Sequence, residues 1–75
     1  MLTKAPKTIT KTTMKLMPGD NILTGDMFDG FDSYKILKVE ESEFNKRYGV
    51  LTIQFSHGGI TVVVHAKHTR WAVIA

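Results

Sequence analysis

The chain has no cysteine among its 75 residues. No disulfide can staple it, and no thiolate can act as nucleophile or metal ligand. Cysteine usage therefore leaves the redox compartment open, with the cytoplasm as the default expectation. No apolar run approaches the roughly 18 residues of a membrane-spanning helix, and the opening residues lack the apolar core of a secretory leader. Proline occurs twice and tryptophan once. Acid is missing from both ends of the chain. Residues 1–15 hold four lysines and no carboxylate, residues 16–45 hold Lys35 and Lys38 against all seven acids, and residues 46–75 hold four cations and no acid. The net charge of +3 is thus set by the N-terminal segment, and the body from Leu16 onward is close to neutral.

What is present points to β structure. In Gly49–Ala66, Leu51, Ile53 and Phe55 alternate with Thr52, Gln54 and Ser56, the period-two pattern of a half-buried strand. Beyond Ser56-His57-Gly58-Gly59, Ile60, Val62 and Val64 form one face and Thr61, Val63 and His65 the other. The β-branched density suits a pleated surface. Gly58 and Gly59 accept the positive φ of a tight hairpin. A two-residue turn, or a four-residue loop over Ser56–Gly59, keeps apolar residues opposite apolar residues. A three-residue loop would set Phe55 against Thr61 and is rejected on that ground. With either expected register, Val63 is left on the outer face and marks a place where a partner could sit.

Taken in order, Met1–Lys15 is Thr- and Lys-rich and reads as a flexible basic arm. Lys7, Lys11 and Lys15 follow one another at helical spacing, so a basic helix induced on a polyanion is its functional alternative. Pro18-Gly19-Asp20 is a turn signal ahead of a short strand, Asn21–Thr24. Gly25–Ser33 is too rich in Asp and Gly to be expected as regular structure. Tyr34–Glu41 is a strand whose apolar face switches between Ile36 and Leu37, as in a sharply bent strand. Ser42–Tyr48 is a polar connection that can hold one helical turn. Lys67-His68-Thr69 is a tight link into a last strand, Arg70–Ile74. The expectation is an all-β domain over residues 16–75: five short strands with a long loop after the first. At the level of strand order and loop length this resembles the SH3-like small-barrel layout, and the resemblance implies closure of the sheet. The aromatic-acidic stretch and paired tryptophans of peptide-binding SH3 domains are missing. Small barrels host many functions, so the layout implies none.

Three constellations can carry function. Lys46, Arg47, Lys67 and Arg70, with Trp71 and the arm lysines, form a basic set with a stacking ring, the combination that engages single-stranded nucleic acid. Phe28 and Phe31 interleave with Asp29 and Asp32 in an acidic loop suited to a protein partner. Asp26, Asp29 and Asp32 fall three apart, without the alternate-position ligands or the distant Glu of a Ca²⁺ loop, so no metal is expected. His57, His65 and His68 are the residues suited to proton transfer near neutral pH. No spacing brings a nucleophile to them, so no enzyme and no cofactor is expected. The leading expectation is a small non-enzymatic module that contacts nucleic acid through the arm and basic rim. The alternative is a protein-binding inhibitor or adaptor, of the kind common among phage and mobile-element products, using the Phe28/Phe31 loop or a sheet edge. The third is a homo-oligomer paired through strand edges, with a ligand site at the interface.

Overall fold

The computed structural model describes residues 5–26 and 28–75. Six strands form a single antiparallel sheet: β1 (Thr8–Thr12), β2 (Asn21–Asp26), β3 (Gly30–Glu40), β4 (Val50–Ser56), β5 (Ile60–Ala66) and β6 (Arg70–Ile74). A single 3₁₀ turn, Thr13–Lys15, follows β1, and a short helix, α1 (Glu43–Tyr48), joins β3 to β4. The spatial order is β1-β6-β2-β3-β4-β5. The chain is all-β as expected, but the five-stranded closed barrel does not form.

The sixth strand explains the difference. Thr8–Thr12, expected within the flexible arm, pairs along β6, with Ile9 opposite Val73 and Lys11 opposite Trp71. Ile22 of β2 meets Val73 from the other side. Both edges of β6 are therefore occupied, and β5, its neighbour in sequence, has no edge of β6 on which to close. The arm is anchored further by Thr13, whose N–H donates to the Thr69 carbonyl at 2.9 Å, and by the Ala75 N–H, which donates to the Lys7 carbonyl at 3.0 Å. Residues 1–4 of the expected arm lie outside the described residues.

The core lies on one face of the sheet. Leu16, Ile22, Ile36, Leu51, Ile53 and Val73 are buried, and Val39, Phe55, Val63 and Trp71 pack around most of them. The change of face expected in the long strand is a β-bulge between Ile36 and Lys38. One extra residue, Leu37, lets both Ile36 and Val39 reach the core-facing residues Phe55 and Ile53 of β4. The Asp- and Gly-rich stretch is more regular than expected, because Gly25 and Asp26 finish β2 while Gly30–Ser33 begin β3. Asp26 makes this possible by accepting the N–H groups of Phe28 and Asp29 at 2.9 and 2.8 Å, which folds the tip back on itself. Ser42 caps α1 by accepting the Asn45 N–H, and Gly49 ends the helix at φ 65°.

The β4–β5 hairpin takes the three-residue loop that apolar-to-apolar matching disfavours. Ser56 pairs with Ile60, leaving the three residues His57, Gly58 and Gly59 in the loop, and Phe55 lies opposite Thr61. Val63 therefore faces inward and packs on the core, which corrects its expected position on the outer face. Ile60, Val62 and Val64 take that position instead, at 67%, 60% and 54% exposure. The inward face of β5 lies at the margin of the sheet, where Thr61, Val63 and His65 suffice. Val63 extends the core, and His65 meets Trp71 in a T-shaped arrangement at a ring-centroid distance of 4.6 Å. Matching apolar residues across the hairpin would have required the apolar face of β5 to be the buried one.

Candidate functional site

The basic constellation is brought together in part. The β3–β4 and β5–β6 connections adjoin, because the Lys67 N–H donates to the Gly49 carbonyl at 3.2 Å. Lys46, Arg47 and Lys67 thus share one end of the sheet. Much of this charge has an acid beside it: Lys67 pairs with Glu41, Lys46 lies 4.0 Å from Glu43, and Lys11 bonds Asp20 at 2.9 Å. Among the described residues Lys7, Lys15, Arg47 and Arg70 form no ion pair. Burial alone would raise the Asp20 carboxyl pKa. The Lys11 hydrogen bond, the Met17 N–H and the Lys11 charge outweigh that and hold it below the usual carboxylate value. Trp71 is half-buried, packs on the core and donates its indole N–H to Thr13 Oγ1 at 2.9 Å. Its ring is engaged in packing rather than presented for stacking.

The acidic loop is divided. Phe28 stands at the β2–β3 tip with 89% exposure. Phe31 lies within β3 opposite Gly25 and is half-buried. Asp29 is exposed at the tip, while Asp32 reaches His57 Nε2 at 2.9 Å. The His57 hydrogen bond, with the Ser33 N–H, holds the Asp32 carboxyl below its ordinary value. The His57 ring also lies 4.1 Å from that of Tyr34, which stacks on Phe55 at 5.2 Å. The loop histidine is thus a clip between two hairpins. Among the described residues no hydroxyl or amine hydrogen-bonds its imidazole, and no group of three His, Asp or Glu side chains is placed to hold a metal. His65 lies against Trp71 and His68 is exposed in the β5–β6 link. No helix among the described residues is long and apolar enough to cross a membrane.

The most exposed apolar feature of the sheet is the outer edge of β5. This strand ends the sheet order, so one of its two backbone rows has no neighbour among the described residues. Hydrogen bonds flanking the ladder show which row. The His57 N–H donates to the Gly59 carbonyl and the Lys67 N–H to the Gly49 carbonyl, both in the register of the hairpin. In an antiparallel ladder, pairs that exchange hydrogen bonds alternate with pairs that do not. The bonded pairs are therefore Leu51–His65, Ile53–Val63 and Phe55–Thr61. It follows that the N–H and C=O groups of Ile60, Val62, Val64 and Ala66 point away from β4 into the open edge. The same four residues carry the outer face, and all are apolar. β5 has no Lys, Arg, Asp or Glu, whereas the edge strand β1 at the far end of the sheet carries Lys11. Edge strands are ordinarily blunted by charge, proline or a bulge, and β5 has none of these. The only sequence signal for this edge was the apolar row Ile60, Val62 and Val64, which was legible but assigned to the core.

No known protein family, curated protein or solved structure matches the chain.

Proposed function

We propose that the chain is a non-catalytic protein-binding module that receives a partner strand on the open edge of β5. The observation that carries this reading is the coincidence of apolar side chains and unused backbone groups at Ile60, Val62, Val64 and Ala66 on an uncharged terminal strand. Adding a strand to such an edge gives affinity through main-chain hydrogen bonds, while alternate side chains select the partner. The nucleic-acid reading is less well supported, since Lys11, Lys46 and Lys67 lie beside acids and Trp71 is packed inward.

The test is site-specific photocrosslinking in cells that make the protein. A photoreactive residue at Val62 is expected to yield a discrete protein adduct, and one at Lys38 is expected to yield none. Absence of an adduct at Val62 would refute the reading. So would binding to DNA or RNA that falls steeply with salt and disappears in an Arg47→Ala/Arg70→Ala variant, since salt-dependent affinity is the signature of phosphate contacts.

A further inference from the structure

We infer that the partner on the β5 edge is a second copy of this chain, joined antiparallel about a two-fold axis at Val63. This rests on the edge reading above and adds the partner and the register to it. Three features of β5 support it.

The first is its backbone phase. The groups that point outward belong to the even-numbered residues, so a symmetric antiparallel pairing must bond even residues to even residues. Centring the axis on Val63 does so over the full strand: Ile60 bonds Ala66 of the second copy, and Val62 bonds its Val64. Each relation repeats by symmetry, and all seven residues of β5 are used. The second feature is side-chain matching. On the outer face that register aligns only Ile, Val and Ala, which are the residues left exposed in the single chain. On the inner face Val63 meets its own symmetry mate, and Thr61 meets His65. The β-branched side chains of Val62, Val63 and Val64 suit packing against cross-strand neighbours on a pleated surface.

The third feature is charge. A two-fold axis brings each residue near its own copy, so any ionised residue near the centre would repel itself. β5 has no Lys, Arg, Asp or Glu. At its end Lys67 is paired with Glu41. An isologous interface of this kind is self-complementary and closed. It turns two six-stranded sheets into one continuous sheet and leaves the β1 edges outermost.

The absence of cysteine makes the register directly readable. Residues facing each other in a non-hydrogen-bonded antiparallel pair have Cα atoms about 4.5 Å apart, within the range a disulfide spans. Oxidised Val63→Cys is therefore expected to run as a covalent dimer. Val64→Cys, whose mate is displaced along the strand, is expected to stay monomeric under the same mild oxidation. Light scattering of the wild-type chain is expected to give twice its 8.4 kDa mass. Val62→Lys and Val62→Pro are each expected to restore the single-chain mass. The proline removes a donor that β4 does not use, so circular dichroism should retain the sheet signal, as edge proline is tolerated where its nitrogen faces outward. Val62→Lys gives the same readout with every backbone donor intact.

A wild-type chain of single mass up to millimolar concentration overturns self-pairing. If Val62 photocrosslinks a different protein in that case, the edge reading survives; if it crosslinks nothing, both fail. A dimer that persists in both Val62 variants, or a disulfide that forms through residue 64 instead of 63, places the interface elsewhere and overturns this inference.

Discussion

Replacing Thr13 by valine probes the contact that ties the N-terminal segment to the last strand. Thr13 is fully buried. Its hydroxyl accepts the Trp71 indole N–H at 2.9 Å and donates to the Thr69 carbonyl at 3.3 Å. Valine keeps the β-branched shape and removes both bonds. The Thr69 carbonyl retains the Thr13 N–H, so one group, the indole N–H, loses its partner. Leaving a buried donor unpaired costs about 1–3 kcal/mol, and half-burial of Trp71 places the cost in the lower half, about 1–2 kcal/mol. For a domain of this length each kcal/mol moves Tm by about 4–8 °C, so Thr13→Val should melt about 4–16 °C lower. The melt is followed by circular dichroism in every variant, and the emission of Trp71, the only tryptophan, reports the local environment in the chains that keep it. The companion change Trp71→Phe removes the donor but keeps a ring on the core. In that background Thr13→Val should be nearly neutral, because neither partner is left orphaned. A Tm unchanged by Thr13→Val alone, or equal losses in both backgrounds, would falsify the assignment of Trp71 to a packing role.

Two further predictions concern the first hairpin and the acid limb of stability. Gly25 sits at φ 87°, and a Cβ there would lie 2.2 Å from the Gly30 carbonyl oxygen. Gly25→Ala should therefore cost more than the roughly 1–2 kcal/mol of left-handed backbone strain alone, measured by urea denaturation, while Gly58→Ala, with open space around it, should cost only the strain. Equal losses at the two sites would contradict the close approach. Asp20 and Asp32 both titrate below their ordinary value of 3.8 in the folded chain. Each thus adds stability that is present above that value and lost as pH falls through the lower folded pKa. Asp20→Asn should lower Tm at pH 7 and flatten its decline below about pH 4; a pH–Tm profile parallel to wild type would refute the role of the Lys11–Asp20 pair.

The elements that were legible in the sequence are those whose local signals agree with their tertiary surroundings. Leu51, Ile53 and Phe55 alternate cleanly and face the core. The switch of face at Ile36–Leu37 is a real bulge, and the connection over residues 42–48 does hold a short helix. β1 was missed because Thr8–Thr12 contains one apolar residue, Ile9, which is itself 50% exposed. Such a strand is held by pairing along β6 rather than by burial of its own side chains. The β-preference of its threonines is the one local signal for the strand. The hairpin register was misjudged for a different reason. Apolar-to-apolar matching is a sound rule for a strand whose inner face is fully covered, and β5 stands at the margin. The basic set was legible as composition, but the pairing of Lys67 with Glu41 and of Lys11 with Asp20 depends on contacts that spacing does not reveal.

The pairing of β1 with β6 sets the order in which the molecule can be completed. Thr8 lies opposite Ile74, so of the six strands the first to be synthesised pairs with the last. β2 through β5 each find a sequence neighbour and can assemble as the chain grows, since local pairings close quickly. β1 has no partner until Arg70–Ile74 has emerged, and Trp71 reaches Thr13 at the same moment. The β1–β6 ladder therefore spans the greatest sequence separation of any strand pairing among the described residues, and its closure carries the largest loop entropy.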